Sequence, residues 1–328
     1  MNKRILLAIP DHSSYKKGIV SALLRMGAAV ELFDFRKGTV AARAAGVVNN
    51  RLNPRSQLLT AYINNSIQDR LLAKVVEFKP HILLIIKGHE INAETVRTIT
   101  RKGVITINWY PDWLVLWPWI KRHAPAYSIF ISSCLNLNKA VQKIHSYAFY
   151  LPFAADPDKL LHHEPKLYPI SFVGQYSPRR EHYFAKLVKL GLHIWGYQGW
   201  QSSSLRQIAQ PPTTAEETLQ IFRRSKIIVN ILTGDNTFHP ANINNRTFEV
   251  LQVGSFLLNH DQPVLHKHFP VQKCMGTFTT PQELLKKTRY FLMHEKEREK
   301  IAQYGWNYVK RHHSYDIRLK ELFRKIIL

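Results

Sequence analysis

The residues with the plainest chemical capacity lie in Ile170-Ser171-Phe172-Val173-Gly174-Gln175-Tyr176-Ser177-Pro178-Arg179-Arg180. An apolar run, a glycine turn, then Ser and Pro ahead of a helical pattern put free backbone amides and a partial positive charge at a helix start. With Arg179 and Arg180 alongside, such amides suit a diphosphate, because arginine offers paired donors to phosphate oxygens. The competing reading is a solvated first turn with two surface arginines. A second cluster, Asn244-Asn245-Arg246-Thr247-Phe248-Glu249-Val250-Leu251, reads as a polar loop entering a helix. Glu249 falls among apolar neighbours, where a carboxylate needs a partner. Its two oxygens can accept both hydroxyls of a ribose, or it can pair with Arg246 at i−3.

A third cluster is Val104-Ile105-Thr106-Ile107-Asn108-Trp109-Tyr110-Pro111-Asp112-Trp113, followed by Trp117 and Trp119. Coming after a parallel strand, Asp112 is expected at the ligand-facing end of a sheet, with rings near it to stack on a sugar or rest at a membrane interface. Core packing explains the same tryptophans equally well. The turn Lys87-Gly88-His89-Glu90 ends another expected strand and makes His89 a second candidate for proton transfer. Metal binding is not expected. His260, His266 and His268 and the pairs His162-His163 and His312-His313 match no zinc spacing, and the cysteines, Cys134 and Cys274, stand alone. Neither G-x-G-x-x-G, nor a Walker loop, nor a G-x-S-x-G elbow occurs.

These side chains need sheets to hold them. Short apolar runs alternate with helical periodicity, the pattern of βα units and parallel sheets. In the first half, strands are expected at 3–9, 28–35, 82–86, 104–108, 127–131 and 147–151, with helices near 14–26, 56–78, 92–102 and 136–145. A proline-containing stretch, 153–169, reads as a linker between a domain over 1–152 and a second over 170–312. The second half restarts with strands at 170–173, 192–195, 226–231 and 255–258 and helices at 178–190, 214–224 and 244–253. Thr214-Ala215-Glu216-Glu217 and Thr280-Pro281-Gln282-Glu283 are capping-box sequences. The basic, helical end of the chain, with a last helix over 313–328, is expected to pack back on the first domain. The fold class is therefore α/β, two doubly wound Rossmann-like domains facing a cleft, where ligands of such sheets bind.

Composition limits the partners. At 328 residues, 45% of them hydrophobic, the chain can build two cores, which argues against intrinsic disorder. Its 46 Lys and Arg against 23 Asp and Glu give a net charge of +23, spread over both halves, which favours phosphate-bearing ligands, an anionic membrane surface or nucleic acid. The apolar run after Met1-Asn2-Lys3-Arg4 is too short for a signal peptide and is read as a first strand. With cysteines that form no framework, the expected location is cytoplasmic, with peripheral membrane contact near 109–122 a further expectation.

In this order the motifs resemble the CgeB-like (spore-maturation) glycosyltransferases, a branch of the group 1 glycosyltransferases of GT-B type. The resemblance runs through 81–112, Phe172-Val173-Gly174 to Arg180, Trp195-Gly196-Tyr197-Gln198-Gly199-Trp200, Ser225-Lys226-Ile227-Ile228-Val229-Asn230, Arg246-Thr247-Phe248-Glu249 with Gly254, and Glu297-Arg298 to His313-Ser314-Tyr315 with Arg318. It implies transfer of a sugar from a nucleotide-diphosphate donor, held by the second domain, to a glycan, lipid-linked, protein or other acceptor held by the first. It also implies donor contacts from Gly174, Gln175, Arg179, Arg180, Trp195, Gly196, Asn230, Asn245, Arg246 and Glu249, with Glu249 on the ribose. No metal or other cofactor is implied, because helix amides and basic side chains stabilise the leaving diphosphate.

Related retaining enzymes carry a Glu-x7-Glu pair, but Ala241 stands eight residues before Glu249. His239, Asn242 or Asp235 could substitute, and a retaining outcome remains the expectation. Two rivals stay open: a nucleic-acid-binding or nucleic-acid-modifying protein, on the charge, and a donor-binding protein without turnover, on Ala241.

Overall fold

The computed structural model describes residues 3–52, 54–112, 116–157, 164–196, 199–232 and 242–326. It divides into two compact units, Met1–Pro152 and Phe153–Leu328. Trp113, His162, His163, Tyr197, Gln198, Asp235, His239 and Ala241, all singled out in the sequence, lie outside the described residues.

The first unit holds strands β1 (Arg4–Ala8), β2 (Ala29–Phe33), β3 (Ile82–Ile86), β4 (Ile105–Tyr110), β5 (Ile129–Ser132) and β6 (Ala148–Tyr150). They form one parallel sheet in the order β2-β1-β3-β4-β5-β6. Chain direction across the sheet reverses at β1 and β3, the switch point where such sheets open a crevice. β3, Ile-Leu-Leu-Ile-Ile, is buried at every position, as a central parallel strand covered on both faces must be. The helices are α1 (Lys16–Arg25), α2 (Val40–Arg51), α3 (Gln57–Phe78), α4 (Ala93–Arg101), α5 (Trp117–His123) and α6 (Leu135–Val141). The start of α4 is fixed by Asn92, whose Oδ1 accepts from the Thr95 amide at 2.8 Å. Helix α2 had no counterpart in the sequence expectation, because its valines face outward and leave no apolar stripe to read.

The second unit holds β7 (Tyr168–Val173), β8 (Leu192–Trp195), β9 (Ala209–Gln210), β10 (Ser225–Asn230), β11 (Leu257–His260) and β12 (Gly276–Phe278). Again all are parallel, in the order β12-β11-β10-β7-β8-β9, with the reversal at β7 and β10. Its helices are α7 (Pro178–Phe184), α8 (Ala215–Arg223), α9 (Asn245–Gln252), α10 (Pro263–His268), α11 (Val271–Cys274), α12 (Pro281–Met293), α13 (Glu295–His312) and α14 (Tyr315–Ile326). The capping box of α8 is complete: Thr214 Oγ1 accepts from the Glu217 amide, and the Glu217 carboxylate accepts from the Thr214 amide at 2.7 Å. At α12 only the first arm forms as expected. The Glu283 carboxylate reaches Thr279, one residue further out, and pairs with Lys287. The expected helix over 178–190 is α-helical only to Phe184 and continues as a tighter 3₁₀ turn, Ala185–Leu190, which Gly191 ends at φ 83°.

Phe153, Ala154 and Ala155 are buried, and Ala155 joins His313 and Tyr315 through backbone hydrogen bonds of 2.8 and 3.0 Å. Among the described residues, no helix is long and apolar enough to cross a membrane.

Candidate functional site

The second sheet brings most of the singled-out residues to the carboxyl ends of β7, β8, β10 and β11. There β7 runs into Gly174 and β8 into Gly196, packed so closely that a Cβ on Gly196 would lie 2.5 Å from the Gly174 carbonyl oxygen and 2.4 Å from the Trp200 ring. Only glycine permits that crossing. The Trp200 indole donates to the same carbonyl at 2.9 Å, and the Gly174 amide donates to Trp195 at 2.8 Å. The half-buried Trp195 ring itself meets Tyr168 and His193.

Ser177 caps α7, its hydroxyl accepting the Arg180 amide, with Pro178 at the first helical position. Arg180 then turns inward. Its Nε and Nη2 donate to the Ile231 carbonyl at 3.0 and 2.7 Å, its Nη1 donates to Gln175 at 2.6 Å, and its guanidinium lies over the Phe172 ring. Burial, with Arg246 and Arg179 nearby, lowers this guanidinium to about 9, which leaves it charged at neutral pH. Arg179 is held differently, with Nη2 2.8 Å from His260 Nε2 and its guanidinium over Tyr183. Since an arginine can only donate, His260 accepts here as a neutral ring. Burial first and then Arg179 hold its pKa below the usual histidine range.

Glu249, one turn inside α9, makes the i−3 pair the sequence allowed: Arg246 Nη1 lies 2.6 Å from Glu249 Oε2. Both side chains are mostly buried, and Arg246 lies over the Phe222 ring. Beside them runs an amide network. Asn230 Nδ2 donates to Asn244 Oδ1 at 2.9 Å and to Asn259 Oδ1 at 2.6 Å, and Asn244 Nδ2 donates back to Asn230 Oδ1 at 3.0 Å. Asn245 opens α9 and is half-buried. Asn259 and His260 were not assigned to this site from sequence. Their signal is a polar residue ending an apolar strand, in Leu-Leu-Asn-His of β11 as in Ser-Lys-Ile-Ile-Val-Asn of β10.

The first unit carries a smaller cluster at the ends of β3 and β4. Lys87 and Gly88 both adopt left-handed backbone, at φ 66° and 71°, a costly conformation for lysine. The turn is held by Asn108 Nδ2 donating to the Lys87 carbonyl at 3.1 Å and by Lys87 Nζ, 2.7 Å from Asp112 Oδ2. It presents His89, whose Nε2 lies 2.9 Å from the Tyr110 hydroxyl and whose ring meets Trp119 edge-on. Burial first, then Lys87, lowers the His89 pKa, while burial raises that of Tyr110. His89 is therefore a neutral, partly exposed base backed by a phenol. Trp109 is wholly buried, its indole donating to Leu151, and belongs to the core.

Both cysteines are buried, and burial pushes the Cys274 thiol to about 12, so neither is a nucleophile at neutral pH. Among the described residues no group of three or more His, Cys, Asp or Glu could hold a metal ion.

Comparison with known proteins bears on this geometry. Residues 179–324 match the family model described as glycosyl transferase-like. No curated protein is significantly similar in sequence to the chain. Among solved structures, an alpha-glucosyltransferase in complex with UDP-glucose and DNA containing an abasic site superposes with a TM-score of 0.68 at 9% identity, covering 100% of both chains. Sucrose-phosphate synthase from Thermosynechococcus elongatus gives 0.68 at 10% identity, covering 99% of each chain. Anabaena HepE in complex with UDP and glucose gives 0.64 at 9% identity, also covering 99% of each. The chain thus has the α/β fold of the GT-B glycosyltransferases and, over residues 179–324, a glycosyl transferase-like domain.

Proposed function

We propose that the protein transfers a hexose from a nucleotide-diphosphate sugar, the donor being held by the second unit. The observation that carries the reading is the convergence of Arg179, Arg180 and Arg246 with the Glu249 carboxylate at one sheet edge inside the matched stretch. Three guanidinium groups gathered at this edge, one of them paired with Glu249, suit a diphosphate. Glu249, fixed by Arg246, accepts the ribose hydroxyls. Arg179 faces the diphosphate, while Arg180 adds charge from beneath and ties the Gln175 loop to Ile231. Gly174, Trp195, Gly196, Asn230 and Asn245 shape the pocket around them.

In the reaction the bond from the anomeric carbon to the diphosphate oxygen breaks and a bond to the acceptor oxygen forms. The acceptor proton passes to a base, for which neutral His89 is the candidate, with Asp112 contacting the acceptor. The arginines stabilise the departing diphosphate, so the reading includes metal independence. CgeB-like membership, supported by the motif order, and retention at the anomeric carbon, for which Asn242, His239 or Asp235 would have to stand in for the glutamate that Ala241 replaces, are finer parts of the same proposal.

UDP-glucose is the first donor to test, because two of the superposed structures hold UDP or UDP-glucose. UDP release in the presence of EDTA, reduced at least tenfold by Glu249→Ala, supports the proposal. Nucleotide binding without release of nucleotide from any sugar conjugate would identify a donor-binding protein instead. A second reading, nucleic acid as acceptor, is favoured by the charge of +23 and by the DNA in one superposed structure. A steep salt dependence of duplex binding, with glucose transferred to the duplex, is its signature.

A further inference from the structure

The second unit has a cavity at the edge of its sheet opposite the arginine cluster. Of about 440 Å³, it lies where β7, β10 and β11 begin, lined by Lys166, Lys226 and Phe256 and, from α13, by Arg298, Glu299 and Gln303. Lys226 stands four residues before Asn230 on β10, roughly 13 Å at the rise of a parallel strand, so the cavity is separate from the proposed donor site. The Lys166 ammonium donates to the Arg223 carbonyl at 2.6 Å, and burial first, then the Arg298 guanidinium, lower its pKa. Arg298 is itself buried, with donors on the Phe291 carbonyl at 2.6 Å and on Glu295 at 2.7 Å. Like charges brought together at one wall of a cavity are unfavourable until an anion stands between them.

Size and lining narrow the ligand. Small-molecule sites typically span about 300–1,000 Å³, so this cavity has room for a whole metabolite rather than a lone ion. Glu164, also in the lining, is taken up by Arg224 at 2.8 Å, while among the described residues Lys166, Lys226 and Glu299 form no ion pair. Phe256 is buried and packed on Phe291 at 4.4 Å between ring centroids, which leaves its face closed to a nucleobase. Glu299 and Gln303, one turn apart on α13 and both exposed, offer a carboxylate and an amide to hydroxyl groups. We propose that this cavity binds a phosphorylated sugar, with the phosphate on Lys166, Lys226 and Arg298 and the hydroxyls on Glu299 and Gln303. This does not rest on the sugar-transfer reading, since binding is measured without donor or acceptor.

The test is calorimetric titration of the full chain with glucose 6-phosphate, glucose 1-phosphate and fructose 6-phosphate, with inorganic phosphate and glucose as references. One sugar phosphate is expected to bind about tenfold or more tightly than either reference, with or without UDP present. Lys226→Gln should weaken that sugar phosphate and inorganic phosphate alike, by about fivefold or more. Glu299→Ala should weaken the sugar phosphate about threefold or more without weakening inorganic phosphate. Glu299 is exposed and Lys226 half-buried at the surface, so both variants should keep the melting point of the parent. Glu249→Ala should leave sugar-phosphate binding unchanged. Absence of binding by all three sugar phosphates, affinity no better than that of inorganic phosphate, or binding indifferent to Lys226→Gln overturns the proposal. So does displacement of the sugar phosphate by UDP, which would place it in the donor site instead.

Discussion

The two sheets share one topology, each reversing next to its first strand, yet their carboxyl edges carry different chemistry. The second edge gathers Arg179, Arg180, Arg246, Glu249 and an asparagine network, most of it buried and bonded to itself or to backbone. The first edge carries a left-handed Lys-Gly turn, a lysine–aspartate pair and a neutral histidine against a phenol. On the proposed reading the second is a fixed anion site, its groups held in place by one another and by backbone. On the same reading the first is the proton-transfer side, where a strained turn presents His89 as the proposed base.

Several substitutions can break that contrast, beginning with the largest effect. His89→Gln is expected to lower turnover about a hundredfold or more while leaving UDP affinity unchanged, as steady-state kinetics and calorimetry would show. Because the folded pKa of His89 lies below 6.5, the wild-type rate should hold through neutral pH and fall only when pH drops below that range. Glu249→Ala should do the reverse, weakening nucleotide binding by at least tenfold and leaving Arg246 without its carboxylate. If both variants changed binding and turnover alike, the division of labour between the edges would be lost.

Arg180→Met tests whether this arginine ties the loop as well as supplying charge. Losing its hydrogen bonds to Gln175 and Ile231 should cost about 2–4 kcal/mol of stability, read as a lowered melting point. Gly196→Ala should cost about 1–3 kcal/mol, since its Cβ must displace Trp200 or Gly174.

A further prediction concerns acid. In the second unit His313 Nε2 donates to the His268 carbonyl, and Arg318 donates to His313 Nδ1, so the ring is held neutral. Burial lowers its pKa to about 3. The unfolded chain therefore binds the proton first, and stability falls as pH drops through about 6.5 toward about 3. The slope is about 1.4 kcal/mol per pH unit for one group. In His313→Gln, urea titrations across this window should give a flatter pH dependence.

How much was legible follows from where the information lies along the chain. Strand β3 and the switch from strand to helix at Ser177-Pro178 were readable because buried runs and caps are local. The pairing of Glu249 with Arg246 was readable as one of two alternatives, because it spans three residues. The asparagine network was not, since Asn230, Asn244 and Asn259 meet only once β10 and β11 lie side by side. Nor was the inward turn of Arg180, whose acceptor at Ile231 lies far along the chain. Helix α2 was hidden because its apolar residues face solvent and so mimic no core pattern.

The most direct test of the anion site is the melting point of the protein with UDP, GDP, ADP, CMP and dTDP and their sugar conjugates, in the parent and in Glu249→Ala. A ligand that binds only the folded state must raise it. The account predicts a clear rise with one nucleoside diphosphate, and with its sugar conjugate, that disappears in Glu249→Ala. No rise with any of them, or a rise unaffected by Glu249→Ala, would contradict it.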